Sequence, residues 1–152
     1  MTNLQTDPQI EQLIPHRPPM LLLNRVVSLS DNSASAEIDI VPEASFFKSG
    51  RGVPAWIGVE YMGQTAALIA GFQLQQGRVE PHLGLLLGTR KYTANTPWFP
   101  PQATLIVTCT EVAVVGQNLA TFAGEIRDKE SGVVYASAKL SVFRRPLELE
   151  KV

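Results

Sequence analysis

The feature that most constrains the fold of this chain is one long apolar segment, residues 54–73, which reads PAWIGVEYMGQTAALIAGFQ. Large apolar side chains and small residues together occupy nearly every side of a helix built from it. Such a helix is buried on most sides. At about 1.5 Å per residue it is roughly 30 Å long. It is therefore predicted to lie along a sheet that curls around it.

The remaining chain carries strand patterns and one further helix signal. Asp7 is a good N-cap and Pro8 suits the first helical position, so a short helix is predicted at residues 8–13. Residues 35–40 alternate between polar and apolar side chains, and the turn 30–33 joins them to the preceding apolar run, which predicts a hairpin with one buried face. Six strands are predicted in all, within residues 20–30, 33–41, 83–95, 103–115, 119–126 and 133–143.

The length of 152 residues suits one domain, with its core at about residues 8–145. We expect the tails 1–6 and 146–152 to be loose, because they are short and polar. One copy of the chain would leave a flank of the long helix and an edge of the sheet uncovered. We therefore expect a second subunit to cover them, by strand-to-strand contact.

The composition argues against several classes of partner and site. With 45% apolar residues, 18% charged residues and a formal net charge of -1, nothing points to nucleic acid or to a membrane surface. The N-terminal segment has no basic start and no unbroken apolar run, which predicts a cytoplasmic protein. Cys109 is the only cysteine, so there is no internal disulfide and no cysteine cluster for zinc, and we expect it to be an ordinary strand residue. No metal or dissociable cofactor is indicated.

One acid interrupts the apolar helix. Between Pro54 and Phe72 the strongly polar side chains are Glu60 and Gln64, which are four residues apart and therefore share a face. No Lys or Arg lies three or four residues from Glu60, so a local ion pair does not explain it. Because a buried unpaired carboxylate is costly, two interpretations remain. Glu60 emerges at a solvated end of the helix, or it is a general acid in an apolar tunnel.

Four blocks of the sequence carry a family resemblance: LIPHRPPMLLLNRVV, VPAWIGVEYMGQTAALIAG, GLLLGTRKYTANTPWFPPQATL and GVVYASAKLSVF. They resemble successive blocks of the hotdog-fold 3-hydroxyacyl-acyl-carrier-protein dehydratases of fatty acid biosynthesis, over about residues 10–145. The resemblance implies an α+β hotdog fold, in which an antiparallel sheet wraps around one long central helix. It also implies an acyl tunnel between two subunits, in a homodimer or in a heterodimer with a paralogous hotdog subunit. An acyl carrier protein would be the partner that carries the substrate.

The resemblance assigns chemistry to the start of the helix. Family members pair a histidine, which removes the α-proton of the substrate, with a helix carboxylate of the other subunit, which protonates the departing hydroxyl. Glu60 matches that carboxylate, and Gln64 matches the glutamine one turn later. Pro54 matches the proline that opens the helix, and Ala55 matches the glycine whose N–H polarises the thioester carbonyl. Together with Trp56, the residues Gln64, Ala55 and Pro54 are candidates for binding the substrate.

The family's catalytic histidine is missing from this chain. The position fourteen residues before Glu60 is Phe46, which cannot accept a proton. His16 lies in the block that folds near the tunnel mouth, so it is either the base or a residue that hydrogen-bonds the Pro-rich turn and shapes the gate. His82 is expected in a solvated loop. The third possibility is a histidine from a paralogous subunit, as in divergent members from aryl polyene gene clusters, which would complete a composite site with Glu60.

Three functions are compatible with these residues. We expect a dehydratase, or a dehydratase subunit, that acts on a 3-hydroxyacyl thioester in fatty-acid- or polyene-type biosynthesis. The alternatives are a hotdog acyl thioesterase, in which Glu60 activates water or attacks the carbonyl, and a non-catalytic member that binds acyl chains or supports a partner. Trp56, Trp98 and Phe99 either line a tunnel for aromatic or conjugated acyl groups or, as we expect, belong to the core.

Overall fold

A computed structural model describes residues 7–77, 82–116 and 118–146 of the chain. Its elements in chain order are α1 (Pro8–Leu13), β1 (Arg25–Leu29), β2 (Ser33–Asp39), β3 (Val53–Pro54), a 3₁₀ turn (Ala55–Ile57), α2 (Gly58–Gln75), β4 (His82–Ala94), β5 (Trp98–Phe99), β6 (Thr104–Val115), β7 (Leu119–Asp128) and β8 (Val134–Pro146). The predicted short helix is confirmed as α1, and the Asp7 side chain caps it by accepting a hydrogen bond from the N–H of Gln9. The predicted loose tails lie outside the described residues, except that Pro146 belongs to β8.

Six strands form one antiparallel sheet in the order β1-β2-β6-β7-β8-β4. The predicted hairpin is confirmed, because Arg25 of β1 pairs with Glu37 of β2 and Leu29 pairs with Ala34. The first strand is shorter than predicted and begins at Arg25. The physical reason is that the preceding leucines pack into the core, where the N–H of Leu22 donates to the side chain of Gln64 instead of to a strand.

The long helix α2 packs against this sheet, as predicted. Its largest buried side chains are Tyr61, Met62, Leu68 and Ile69. Close approach depends on glycine at two points: a Cβ on Gly124 of β7 would lie 2.8 Å from the sulfur of Met62, and one on Gly71 would lie 2.0 Å from the carbonyl oxygen of Leu13. The helix is therefore packed directly against the sheet on one side and against α1 on another.

Cys109 is an ordinary buried strand residue, as the sequence predicted. Its thiol donates to the carbonyl oxygen of Met62 at 3.2 Å. Burial raises the pKa of Cys109 to about 12, so the sulfur stays protonated and unreactive near neutral pH.

The start of the long helix differs from the prediction. Pro54 does not open an α-helix, since it pairs with Trp98 in a small two-stranded sheet formed by β3 and β5, which the sequence did not predict. The 3₁₀ turn follows, and α2 begins only at Gly58. The reason is non-local: the N–H of Ala55 donates to the carbonyl oxygen of Pro97, at 3.0 Å, and this bond holds the chain against the segment that leads into β5.

The opposite end of α2 is held by a buried polar cluster. Gln73 donates to the carbonyl oxygen of Asp31 at 2.6 Å, and its amide oxygen accepts from Arg144 at 3.4 Å. Arg144 also forms an ion pair with Glu111 at 2.6 Å. These contacts join the helix to the β1–β2 turn and to strands β6 and β8.

Two regions of the fold have no cover within the described part of the chain. Strands β1 and β4 lie at the two edges of the sheet, and the flank of α2 that carries Glu60, Ala67 and Ala70 is only half-buried. In residues 7–77, 82–116 and 118–146, no helix combines the length and hydropathy that a membrane span requires.

Replacing Gly71 with Ala should destabilise the fold by about 1–3 kcal/mol, because the new methyl group would overlap the backbone of Leu13 and force α1 away from α2. Urea unfolding followed by circular dichroism measures the change. Ala70→Ser, at the half-buried neighbouring position, is the matched control and should cost about 0.5 kcal/mol or less. Equal stability of the two variants would contradict the packing described for α1.

Candidate active site

Glu60 lies in the first turn of α2, on the half-buried flank of the helix. Its Oε1 accepts a hydrogen bond of 3.1 Å from the amide Nε2 of Gln64. The carboxylate is therefore neither fully buried nor free in solvent, and one of its two oxygens has a defined partner.

Gln64 is fully buried, with 0% of its surface exposed, and both the oxygen and the nitrogen of its side-chain amide form hydrogen bonds. The oxygen accepts from the N–H of Leu22 at 2.9 Å, and the nitrogen donates to the carbonyl oxygen of Met20 at 2.7 Å as well as to Glu60. Its side chain ties the segment after the Pro-rich turn to Glu60. The four-residue spacing predicted that Gln64 and Glu60 share a helix face; it did not predict the hydrogen bond between them or the contacts with residues 20–22.

The charge of Glu60 acts on His16 of the same chain. His16 follows α1 and is half-buried; its Nδ1 is buried and has no hydrogen-bond partner within the described part of the chain. Burial lowers the pKa of His16 below 6.5, the negative charge of Glu60 opposes that change, and the positive charge of Arg17 adds to it. The imidazole is therefore neutral at neutral pH, and its Nδ1 does not bond the backbone of the Pro-rich turn.

Arg17 holds the backbone around His16 in place. Its guanidinium donates to the carbonyl oxygens of Ile14 at 2.9 Å, His16 at 2.8 Å and Glu11 at 2.8 Å. The position of the imidazole is thus set by its own segment.

His82, in contrast, is the first residue of β4 and pairs with Pro146 of β8. Its predicted place in a loop was wrong, because the pairing of β4 with β8 extends to this residue.

Phe46 and Trp56 form an exposed aromatic pair beside the helix start. Their ring centroids are 6.4 Å apart in an edge-to-face arrangement. Trp56 is 68% exposed and Phe46 is 41% exposed. Phe46 also has a φ of 70°, a backbone conformation that is uncommon for a bulky residue. The core position expected for Trp56 was therefore wrong, because the 3₁₀ turn directs the indole outwards.

The other two aromatic residues behave differently. Phe99 is fully buried and stacks on Tyr61 at 5.9 Å, which confirms its core position. Trp98 is half-buried, and the guanidinium of Arg51 lies 5.5 Å above its ring.

An open cavity of about 470 Å³ lies beside the start of α2, and its lining consists of Ala55, Trp56, Tyr92, Ala94, Asn95, Thr96 and Pro97. The hydroxyl of Tyr92 donates to the carbonyl oxygen of Ala55. Burial raises the pKa of Tyr92 to about 12, so the phenol remains a donor near neutral pH. The cavity therefore lies beside the 3₁₀ turn that precedes α2.

The substrate contacts predicted for Pro54 and Ala55, at the start of the long helix, are only partly available. The N–H of Ala55 is already bonded to Pro97, and Pro54 is half-buried in β3. Within residues 7–77, 82–116 and 118–146, no group of three or more His, Cys, Asp and Glu side chains is arranged to hold a metal ion.

Comparison with solved structures shows that other proteins share this fold. The dehydratase heterocomplex ApeI:P from Xenorhabdus doucetiae aligns with a TM-score of 0.80 at 24% identity, over 91% of this chain and 91% of that chain. A hypothetical thioesterase with coenzyme A from Streptococcus pneumoniae TIGR4 aligns with a TM-score of 0.63 at 11% identity, over 82% and 88%. AziG from S. sahachiroi aligns with a TM-score of 0.64 at 13% identity, over 94% and 100%.

The sequence itself matches a family model. No curated protein matches the chain, but the ApeP-like model, described as ApeP dehydratase, matches residues 8–152. This match confirms the resemblance to a hotdog dehydratase of the aryl polyene type, and it favours dehydration over the thioesterase and non-catalytic alternatives. The chain belongs to the ApeP-like family of dehydratases.

Proposed function

We propose that this chain is a dehydratase subunit that eliminates water from a 3-hydroxyacyl thioester carried by an acyl carrier protein, with Glu60 as the general acid. The observation that carries the proposal is the arrangement of Glu60 on the half-buried flank of α2, with one oxygen held by the buried Gln64. An acid in such a place has a defined direction and an open side for substrate. We further infer a single domain over about residues 8–145 and a cytoplasmic location.

The reaction needs one acid and one base. The base takes the α-proton, the carbon–oxygen bond at the β-carbon breaks, and the electrons of the broken C–H bond form the new double bond. Glu60 protonates the departing hydroxyl, which leaves as water. Because Gln64 donates to Oε1, the transferable proton belongs on Oε2. Such general acid catalysis contributes about 10²–10⁴ to a rate.

The thioester carbonyl must also be polarised as the α-proton leaves. The amide of Ala55 is committed to Pro97 in this structure. The first N–H groups of a helical turn lack acceptors inside the turn, so we assign this role to the N–H of Trp56, the next donor at the positive end of the helix.

Two candidates for the base are considered. His16 is neutral, has a buried and unbonded Nδ1 within the described residues, and lies close enough to Glu60 to feel its charge. The second candidate is a histidine of a paralogous hotdog subunit, which would face Glu60 across a dimer interface. The heterocomplex from Xenorhabdus doucetiae supports an assembly of this kind, and Phe46 leaves this chain without a base of its own at the family position.

Replacing Glu60 with Gln should lower the rate of dehydration by roughly 10²–10⁴, because it keeps the shape and removes the exchangeable proton. Mass spectrometry of the chain purified with its partner measures the enoyl thioester formed. Glu43→Gln, in an exposed loop, is the matched control and should retain activity. An unchanged rate in Glu60→Gln would remove the catalytic role, and release of free acid and thiol would instead support a thioesterase.

His16→Asn distinguishes the two bases. If His16 is the base, the isolated chain is active, and its kcat/KM falls as the pH drops through a pKa below 6.5, since protonation removes the base. The substitution should then abolish turnover while the chain stays folded and dimeric. If instead the isolated chain is inactive, and a histidine-bearing paralogue restores turnover only when Glu60 is present, the composite site is supported and His16 is a gate residue.

Gln64→Leu should reduce both stability and activity, whereas Gln73→Leu should reduce stability alone. Each change removes buried hydrogen bonds in the same helix, at a cost of about 1–3 kcal/mol. Only Gln64 contacts Glu60, so only its loss should lower kcat in the fraction that remains folded. Similar kcat values for the two variants would show that Gln64 has a structural role only.

A further inference from the structure

We propose that Tyr92 is a positioning residue for the dehydration reaction: its hydroxyl fixes and polarises the peptide group between Ala55 and Trp56, whose N–H we assign to the thioester carbonyl. This inference rests on the proposed function, because it concerns the donor that stabilises charge on that carbonyl. It gives a role to the Tyr92 hydroxyl, which the chemistry at Glu60 does not use, and to an irregularity in strand β4.

The carbonyl oxygen of Ala55 accepts two hydrogen bonds. One comes from the hydroxyl of Tyr92, and the other comes from the N–H of Gly58, the first residue of α2. The C=O of Ala55 and the N–H of Trp56 belong to one planar, trans peptide group, so these two bonds point in opposite directions. Because the oxygen is held by two donors, the direction of the N–H of Trp56 is held as well.

Strand β4 has a β-bulge at Tyr92. Two residues of this strand, Lys91 and Tyr92, stand opposite the single residue Ala138 of β8. The flanking pairs are Arg90 with Lys139 and Thr93 with Ser137. Lys91 has a φ of 56°, which is uncommon for a residue other than glycine, and it stays exposed while Tyr92 packs against the core. The bulge therefore directs the Tyr92 side chain towards the start of the helix.

The approach of Tyr92 to the helix start depends on glycine at position 58. A Cβ on Gly58 would overlap the hydroxyl oxygen of Tyr92. It would also lie 2.9 Å from Cδ1 of Ile126 and 3.1 Å from Cζ of Phe99, so there is no free space into which it could turn. Strand β4, the 3₁₀ turn and the first residue of α2 therefore meet at one carbonyl oxygen.

The hydroxyl of Tyr92 also makes the N–H of Trp56 a stronger donor. Hydrogen bonds that share a peptide group polarise one another, so a bond to the oxygen strengthens a bond from the nitrogen. Burial raises the pKa of Tyr92 to about 12, so the phenol stays protonated and keeps donating near neutral pH. A donor aimed at developing negative charge acts more strongly in the transition state than in the ground state. Loss of the hydroxyl should therefore slow turnover without weakening substrate binding.

Tyr92→Phe keeps the ring against the core and leaves the bond from Gly58 to Ala55 in place, so the variant should fold, which circular dichroism checks. In the chain purified with its partner, kcat for the carrier-bound 3-hydroxyacyl thioester should fall about tenfold, the factor expected for one neutral hydrogen bond, while KM stays unchanged. Tyr135→Phe is the matched control and should keep the wild-type kcat. This tyrosine is also half-buried, its ring lies 6.1 Å from that of Phe99, and its hydroxyl forms no hydrogen bond within residues 7–77, 82–116 and 118–146.

Infrared difference spectroscopy separates positioning from a purely structural role. The probe is the corresponding saturated acyl thioester, which lacks the 3-hydroxyl group and is isotopically labelled at the thioester carbonyl carbon, on the same carrier protein. Binding to the wild type and to Tyr135→Phe should lower the stretching frequency of the carbonyl, because a hydrogen bond to its oxygen weakens the C=O bond. Tyr92→Phe should bind the probe and lower this frequency less.

Two results would overturn the positioning role. One is an unchanged kcat in Tyr92→Phe. The other is a reduced kcat with the full wild-type carbonyl shift, because the hydroxyl would then act only through the stability of the fold. If the wild-type protein does not dehydrate the substrate, the proposed function fails, and the probe still decides whether Tyr92 acts on a bound carbonyl. A shift that Tyr92→Phe reduces and Tyr135→Phe does not would support that action, whereas no shift in the wild type would refute it.

Discussion

The hydrogen bonds of the buried Gln64 amide connect the parts of the fold on which the site depends. A buried amide that lost its partners would cost about 1–3 kcal/mol, so the helix and the segment Met20–Leu22 must stay in register. The same amide reaches Glu60, which lies one turn earlier on α2. The position of the acid is therefore tied to the packing of the Pro-rich segment that carries His16.

The contacts at the start of α2 also determine the geometry around the site. The 3₁₀ turn is held by the bond from Ala55 to Pro97 and by the hydroxyl of Tyr92. This arrangement takes up the N–H that the family resemblance assigned to the thioester carbonyl, and it turns Trp56 out of the core. The same contacts therefore occupy the N–H of Ala55, leave Trp56 exposed next to Phe46 and form part of the wall of the adjacent cavity.

This chain carries Phe46 at the position where family members carry the catalytic histidine. Its oligomeric state therefore bears on the chemistry, because a second subunit is one possible source of the base. If Glu60 is the acid, as proposed above, the base must come from elsewhere in the chain or from a partner, because Phe46 cannot accept a proton. The uncovered flank of α2 and the sheet edges β1 and β4 offer surfaces for such a partner. Membership of the ApeP-like dehydratase family agrees with the role proposed for Glu60, because elimination of water requires a proton donor for the departing hydroxyl.

The sequence by itself determined the long helix, the short capped helix α1, the hairpin of β1 and β2, and the shared helix face of Glu60 and Gln64. These features follow from local periodicity, from capping residues and from the four-residue spacing of a helix, all of which act between near neighbours in the chain. Only the tertiary structure decided where α2 begins, that Gln64 is buried, that the charge of Glu60 acts on His16 and that Trp56 is exposed. Each of these depends on bonds or packing between segments far apart in sequence, such as Leu22 with Gln64 and Ala55 with Pro97, and no local pattern encodes those contacts.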